Sequence, residues 1–275
     1  MRGLLSIIIP ASNEEAFIGP CLVALLASDA VVAEVIVVAN GCLDRTADVA
    51  RGFAAQMAAR GWGFAVLDLG HGSKPGALNA GDAIAQGDVR AYVDADIVVT
   101  PPVMAQLLAA LAGDAPRYAG ATPRIPPAKS GVTRAYARFW QSLPFACSVA
   151  PGFGLYAVNA AGRARWGQFP AIISDDTFVR LQFTPAERVQ VPGRYDWPMI
   201  EGFAALTRVR RRQDAGMAEL AALHPDLLAH EGKGRLGLGG LLVRAMRDPV
   251  GFGVYAAVSL AVRMKRGGAG FTRGR

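Results

Sequence analysis

Asp94 and Asp96 are the residues of this chain whose type and spacing most plainly invite chemistry. They follow Ala91-Tyr92-Val93, three residues suited to a buried strand, and Ile97-Val98-Val99 resumes the apolar run at once. On a strand, alternate side chains share a face, so the spacing predicts two carboxylates pointing the same way with Ala95 between them. Carboxylates that close repel each other and resist losing water unless a cation or a donor-rich ligand lies between them. Hard oxygens, only one or two of them from the protein, suit Mg2+ or Mn2+ that keeps its own water and carries substrate phosphates. Without neighbours, the same pair would read as two solvated aspartates at a strand end.

The elements around the pair supply those neighbours. Short apolar runs bounded by turn residues predict strands over residues 4–9, 34–39, 63–69 and 89–94. Helices are expected between them: one through Cys21 to Leu26 with Pro20 in its first turn, one capped at Asp44 or Thr46 and running to Arg60, and one over residues 77–85. Another opens at Pro101-Pro102 and runs to Leu111. Strand and helix alternate four times with short connections, which predicts an α/β fold with a doubly wound, mostly parallel sheet. In such sheets ligands bind beyond the carboxyl ends of the strands. Asn13-Glu14, Asn40, Lys74 and Asp94 with Asp96 all fall there. Each has a plainer reading alone: a first-turn charge, an Asn-Gly turn, a loop lysine. Their joint placement points to one polar edge.

The segments Ile9-Pro10-Ala11-Ser12-Asn13-Glu14-Glu15, Val38-Ala39-Asn40-Gly41-Cys42-Leu43-Asp44-Arg45-Thr46, Lys74-Pro75-Gly76-Ala77-Leu78-Asn79 and Val93-Asp94-Ala95-Asp96 resemble glycosyltransferase family 2 in order and spacing. Ser174-Asp175-Asp176 adds a fifth element, so the likeness covers roughly residues 4–215. The resemblance implies the nucleotide-diphosphosugar transferase fold called GT-A. It also implies walls for the nucleoside at Pro10, Ala11, Asn13, Glu14 and Asn40, and places Lys74 and Asn79 beside the donor. Asp94 and Asp96 would reach the ribose and a divalent metal, Mg2+ or Mn2+. Asp176 would be the catalytic base, with Asp175 standing where the family carries Glu. The family commonly has Asp-Asp-Gly-Ser where this chain has Ala39-Asn40-Gly41-Cys42, so an amide replaces the carboxylate that accepts a base N–H. Asp175 and Asp176 are adjacent and point apart; the sequence suggests Asp176 for the acceptor and Asp175 as a cap of the following helix.

Beyond residue 118 the composition shifts. A strand is expected over residues 118–122, a helix over 132–143, a short strand over 155–158 and a long helix from Gly202. The resemblance makes this the acceptor side, where Gly152 and Gly154 would let a sugar approach the backbone and Trp140, Phe153 or Trp166 would stack on it. The bland reading of each aromatic is core. Arg208, Arg211 and Arg212 share a helical face by spacing, either solvated or in contact with a diphosphate. The Q-x-x-R-W pattern of processive polymerases is missing there, which favours transfer of single sugars.

At 275 residues, 52% hydrophobic and 19% charged, the chain can bury a full α/β core. Its net charge of +7 gathers at residues 208–212 and from Arg235 onward, without the aromatic interleaving of a nucleic-acid surface. Three cysteines without metal-ligand spacing suit a reducing compartment. The apolar run at the N-terminus is too short for a signal peptide, and no stretch reaches the ~20 residues of a membrane span.

The expected organisation is a catalytic domain over 1–233 and a basic amphipathic arm with a glycine-rich, disordered end over 234–275. The arm's apolar run, residues 251–262, would pack on the domain, form a dimer contact or lie in an anionic membrane surface. The expected function is inverting transfer of one sugar from a nucleotide-diphosphosugar to a sugar or lipid-linked acceptor, in the cytoplasm or peripherally at the membrane's inner face, in polysaccharide or glycolipid synthesis. The alternatives are a sugar-phosphate nucleotidyltransferase, whose G-x-G-T-R-type loop is lacking, and a catalytically silent membrane scaffold.

Overall fold

In the computed structural model, which describes residues 3–232, 234 and 236–264, the apolar runs become strands of one eight-stranded sheet. The first half of the chain alternates strand and helix: β1 (Leu5–Ala11), α1 (Glu15–Leu26), β2 (Ala33–Asn40), α2 (Thr46–Arg51), α3 (Ala54–Ala59), β3 (Gly63–Leu69), α4 (Lys74–Ile84) and β4 (Val89–Val93). β1 pairs in parallel with β2 and β4, and β2 with β3. Both faces of β1 are covered, which is why Ile7, Ile8 and Ile9 follow one another without polar alternation. Ile7 and Ile9 pack into one core with Leu22 and Leu25 of α1, while Ile8 packs into a second with Ala77 and Leu78 of α4. The single helix expected up to Arg60 is broken into α2 and α3 at Gly52-Phe53, where glycine weakens a helix interior.

The second half runs β5 (Val98–Val99), α5 (Val103–Ala110), β6 (Tyr118–Arg124), α6 (Gly131–Gln141), β7 (Leu155–Asn159), α7 (Ala160–Arg163), α8 (Asp175–Leu181), β8 (Arg188–Asp196), α9 (Phe203–Leu223), α10 (Leu238–Arg247) and α11 (Pro249–Met264). The sheet order is β3-β2-β1-β4-β7-β6-β8-β5. β7 lies antiparallel between β4 and β6, and β6 pairs in parallel with β8, so the sheet is mixed but mostly parallel. This is the GT-A arrangement that the resemblance implied. The register between β6 and β8 jumps from Gly120↔Gln190 to Thr122↔Arg194, and Pro192 sits in that bulge, where it owes the ladder no N–H.

α11 is part of the body of the protein. Val258 joins Tyr136, Trp140 and Leu206 in a third apolar cluster, which fixes α11 to α6 and α9. Arg138 of α6 holds Asp248, just before α11, through two hydrogen bonds of 2.8 Å. The apolar run over residues 251–262 is therefore a packing element. No helix among the described residues is long and apolar enough to cross a membrane. The expectation for the glycine-rich end, residues 267–275, lies outside the described residues.

Candidate active site

β4 stops at Val93, and Asp94 begins a turn. The Asp94 N–H donates to the Gly154 carbonyl (2.8 Å), and the Ile97 N–H donates back to the Asp94 carbonyl (3.1 Å). Strand alternation thus does not align the two carboxylates. The turn does so instead, and Asp94 and Asp96 both line one cleft of about 360 Å³, a size suited to a nucleotide-scale ligand. Gly154 is required here: at φ +68 a Cβ would lie 3.2 Å from an Asp94 carboxylate oxygen and 2.9 Å from Ile97. Its neighbour Gly152 makes room for the Tyr118 hydroxyl. Gly154 also lines the cleft.

Lys74 opens α4, whose cap is the Ser73 hydroxyl accepting from the Gly76 N–H (3.1 Å). Its ammonium lies 2.9 Å from Asp94 and 3.2 Å from Asp175. One lysine therefore ties the turn after β4 to the start of α8. Asp175 does not cap that helix as its sequence position suggested. No side chain caps α8, and Asp175 is buried at 4% exposure against Lys74. Burial, with the charges of Asp176 and Asp94 adding to it, lifts the Asp175 carboxyl from 3.8 to about 6 against the pull of Lys74. Burial works against the Lys74 ammonium, but Asp175, Asp94 and Asp176 together hold it charged and raise its pKa.

The raised Asp175 value gives a testable sign. A folded-state pKa above the unfolded one contributes stability below about pH 4, and that contribution is lost as pH rises through about 6. Urea unfolding of the parent should therefore lose stability relative to Asp175→Asn as pH rises between those two values, and lose no more above them. Parallel curves for the two proteins would remove Asp175 as the titrating group.

Of the residues that the resemblance offered as walls for a nucleoside, Pro10, Asn13, Glu14 and Asn40 line the cleft, together with Ser12. Asn40 is fully engaged in the fold. Its Nδ2 donates to the Ala11 (2.8 Å) and Val38 (3.3 Å) carbonyls, and its Oδ1 accepts the Ser73 N–H (3.1 Å). A carboxylate at this position would face two carbonyl oxygens, which explains why an amide stands there. Asp44 closes the same loop, accepting from the N–H groups of Thr46 (3.0 Å) and Glu15 (3.1 Å) at the starts of two helices.

Two residues that the sequence assigned to the donor are elsewhere. Ala11 is buried at the end of β1 and offers only its carbonyl, to Asn40 and Cys42. Asn79 clamps the backbone of Phe169 with bonds of 2.7 and 3.1 Å and does not line the cleft. It sits five residues beyond Lys74 and so roughly 140° around the helix.

The far half of the cleft is apolar. Tyr136, Trp140, Phe153, Trp197, Met199 and Leu206 line it, and the Phe153 and Trp197 rings stack at 5.1 Å. Trp166 is not among them; it packs edge-on to Phe169 under the Arg163 guanidinium. The segment from Trp197 to Ile200 follows β8, which sequence reasoning did not find, so its aromatic and sulfur side chains were missed. The arginines of α9 also sort differently. Arg210 and Arg212 line the cleft, Arg211 donates to the Ala261 carbonyl (2.7 Å), and Arg208 is exposed outside it. Arg210 is held by Asp214 (2.9 Å) and the Tyr255 hydroxyl (3.2 Å).

The sequence profile described as glycosyl transferase family 2 matches residues 6–163, more than half of the chain. The chain belongs to that family. Among solved structures, it resembles the mannosyltransferase PcManGT of Pyrobaculum calidifontis, in complex with GDP-Man and Mn2+, at 18% identity, covering 97% of this chain and 77% of that one, with a TM-score of 0.59. It resembles S. aureus TarS 1-349 in complex with UDP at 12% identity, 95% and 92% coverage and a TM-score of 0.55. It also resembles the glucosyl-3-phosphoglycerate synthase of Mycobacterium tuberculosis in complex with Mn2+, UDP and glucosyl-3-phosphoglycerate, at 22% identity, 80% and 79% coverage and a TM-score of 0.52. At these identities the likeness is one of fold. A search of curated proteins found no match to the chain.

In this glycosyltransferase, α8 has a deep anchor that no motif announced. Arg180, 1% exposed, bonds both carboxylate oxygens of Glu231 at 2.7 and 2.8 Å. Arg188 lies behind it, donating to the Glu231 (3.1 Å) and Phe183 (2.7 Å) carbonyls. Burial and the neighbouring Arg180 lower the Arg188 pKa to about 10. At the other end of α8, Asp176 faces the cleft and accepts the N–H of its neighbour Thr177 (2.6 Å).

Proposed function

We propose that the chain is an inverting glycosyltransferase that moves a single sugar from a nucleotide-diphosphosugar to an acceptor hydroxyl. The observation that carries this reading is the meeting of Asp94, Asp96 and Asp176 in one cleft whose two ends differ in chemistry. The polar end, from Pro10 to Asn40 with Lys74, fits a nucleoside diphosphate. The apolar end, at Trp140, Phe153 and Trp197, fits the faces of a sugar or an amphiphilic acceptor.

The donor set at the turn fits a divalent ion. Its ligands are hard oxygens, and Asp94 is already shared with Lys74. Among the described residues no group of three acidic, His or Cys side chains could enclose a metal, so Mg2+ or Mn2+ would rest on Asp96 with Asp94 nearby and take its other ligands from phosphates and water. When bound, such an ion supplies charge neutralisation for the departing nucleoside diphosphate. Lys74 keeps Asp94 turned into the cleft and orders the loop above it. Arg212, whose side chain has no ion pair or hydrogen bond among the described residues, adds a cation on the α9 side for the diphosphate. Asp176 accepts the proton of the acceptor hydroxyl as that oxygen attacks the anomeric carbon from the face opposite the leaving group, which inverts the centre. The three unpaired cysteines suit work in the cytoplasm, in making cell-surface polysaccharide or glycolipid.

Calorimetry with a panel of nucleoside diphosphates tests the metal and the donor together. Affinity should fall on adding chelator to the parent, and Asp96→Ala should bind weakly with or without the ion while keeping its thermal midpoint. Equal affinity with and without chelator in the parent would sink the assignment of Asp96.

A further inference from the structure

α10 is amphipathic with the wrong side out for a helix in water. Its inner face carries Gly240, Leu241, Arg244 and Ala245, and the Arg244 guanidinium donates inward to the Ser142 (2.8 Å) and Gly240 (3.1 Å) carbonyls. Its outer face carries Leu238, Leu242 and Met246, which are 82%, 63% and 74% exposed, with Val243 and then Val250 beside them. Leu238, Leu242 and Met246, each four residues apart, make one stripe along α10, with Val250 beyond the break at Asp248, and α10 contributes no buried residue at all. Single exposed apolar residues need no explanation, whereas a contiguous stripe marks a surface that something covers.

The charge around the stripe says what covers it. From Leu236 to the C-terminus the chain has seven Lys or Arg and one Asp, so six of its seven net positive charges lie there. Arg247 is exposed on the stripe itself, between Met246 and Val250, and Arg263 is exposed on α11. A self-complementary pairing of two copies through α10 would set each Arg247 against its own image. An anionic lipid surface takes the opposite charge and accepts a convex helix without a groove.

We infer that the outer face of α10 is a membrane-docking surface that lies in the interface of an anionic bilayer, apolar side chains inward and arginines at the phosphates. This moves the contact from the apolar run of α11, which is spent on packing, to the shorter helix before it. The docking face is also tied to the cleft. α10 is fixed through Arg244 to the turn after α6, and in that turn Phe145 packs edge-on against Trp140 of the apolar wall at 5.1 Å.

Cosedimentation of the full chain with vesicles of phosphatidylglycerol and phosphatidylcholine in equal parts tests this, against phosphatidylcholine alone. The parent should bind the anionic vesicles, release in high salt, and bind phosphatidylcholine weakly. The double variant Leu242→Glu, Met246→Glu should lose binding by ~10-fold or more. Val23→Glu, the same change on an exposed valine of α1, should bind as the parent. All three should share one thermal midpoint, since neither site is buried. Truncation is a poorer test, because it removes α11 from the third cluster. A parent that stays in the supernatant, or a double variant that binds as well as the parent, overturns the proposal. So does a lipid-free dimer that the double variant splits in sedimentation equilibrium, which would make the face a contact between copies.

Discussion

Asp176→Asn should lower sugar transfer by at least ~10²-fold, the lower end of what a positioned general base contributes. The substitution keeps size and removes only the proton acceptor. Its structural cost is small, because an amide oxygen still accepts the Thr177 N–H that Asp176 accepts now. Donor binding should barely change, since Asp176 lies on α8 whereas the nucleoside loops follow β1 and β2. Single-turnover rates and donor affinity measured on the same preparation separate the two effects. Asp175→Asn should fall between parent and Asp176→Asn: Asp175 touches Lys74, and through it Asp94, and so acts on position alone. If transfer survives in Asp176→Asn but collapses in Asp175→Asn, the assignment within the pair is reversed. Parent rates in both would put the base elsewhere.

The largest expected stability effect lies away from the cleft. Glu231→Ala removes the carboxylate that pairs with the buried Arg180 guanidinium, and breaking a buried ion pair on one side typically costs 3–5 kcal/mol. For a chain of this size that is a fall in midpoint of roughly 10 °C. Arg180→Met should cost less, because it withdraws the buried charge and leaves the Glu231 carboxylate, at 27% side-chain exposure, in reach of water. The order of the two, read by thermal or urea unfolding, is the test. Equal losses would mean that packing of the Arg180 stem carries the anchor.

The N-terminal half of the fold was legible because β1, β2 and most of β4 are buried on both faces and so write themselves as nearly unbroken apolar runs. β8 was not, because Pro192 and Gly193 interrupt it, and only the bulge against β6 makes room for them. Losing β8 hid Trp197 and Met199, which end up forming much of the apolar wall. Inside the site, the residue types named by the sequence came together at Asp94, Asp96, Asp176, Lys74 and Asn40, while the geometric reasons differed. Asp94 and Asp96 are brought to the cleft by a turn closed on Gly154, a contact 60 residues away in sequence that no local pattern can announce. Asn79 lies outside the cleft and Trp166 takes the core reading for a related reason: a motif fixes spacing along the chain, whereas the side of a helix or the partner of a ring is decided by what packs there. The direction of α10 was invisible for the same cause, since periodicity gives two faces and does not say which looks outward.

Asn40-Gly41 also bears on how the protein ages. This dipeptide is the one in which a backbone nitrogen most readily closes on the preceding side-chain amide, expelling ammonia and leaving aspartate or its β-linked isomer. Here the Gly41 N–H is held by the Leu69 carbonyl (2.7 Å), and the Asn40 amide is spent on three bonds of its own. Closure requires those bonds to break together, so the folded chain protects the site and each opening of the loop exposes it. The product would set a carboxylate against the Ala11 and Val38 carbonyls, and the loop could not re-form as it was. A negative charge gained at residue 40 would thus record an opening of the loop that carries Asn40 and Gly41.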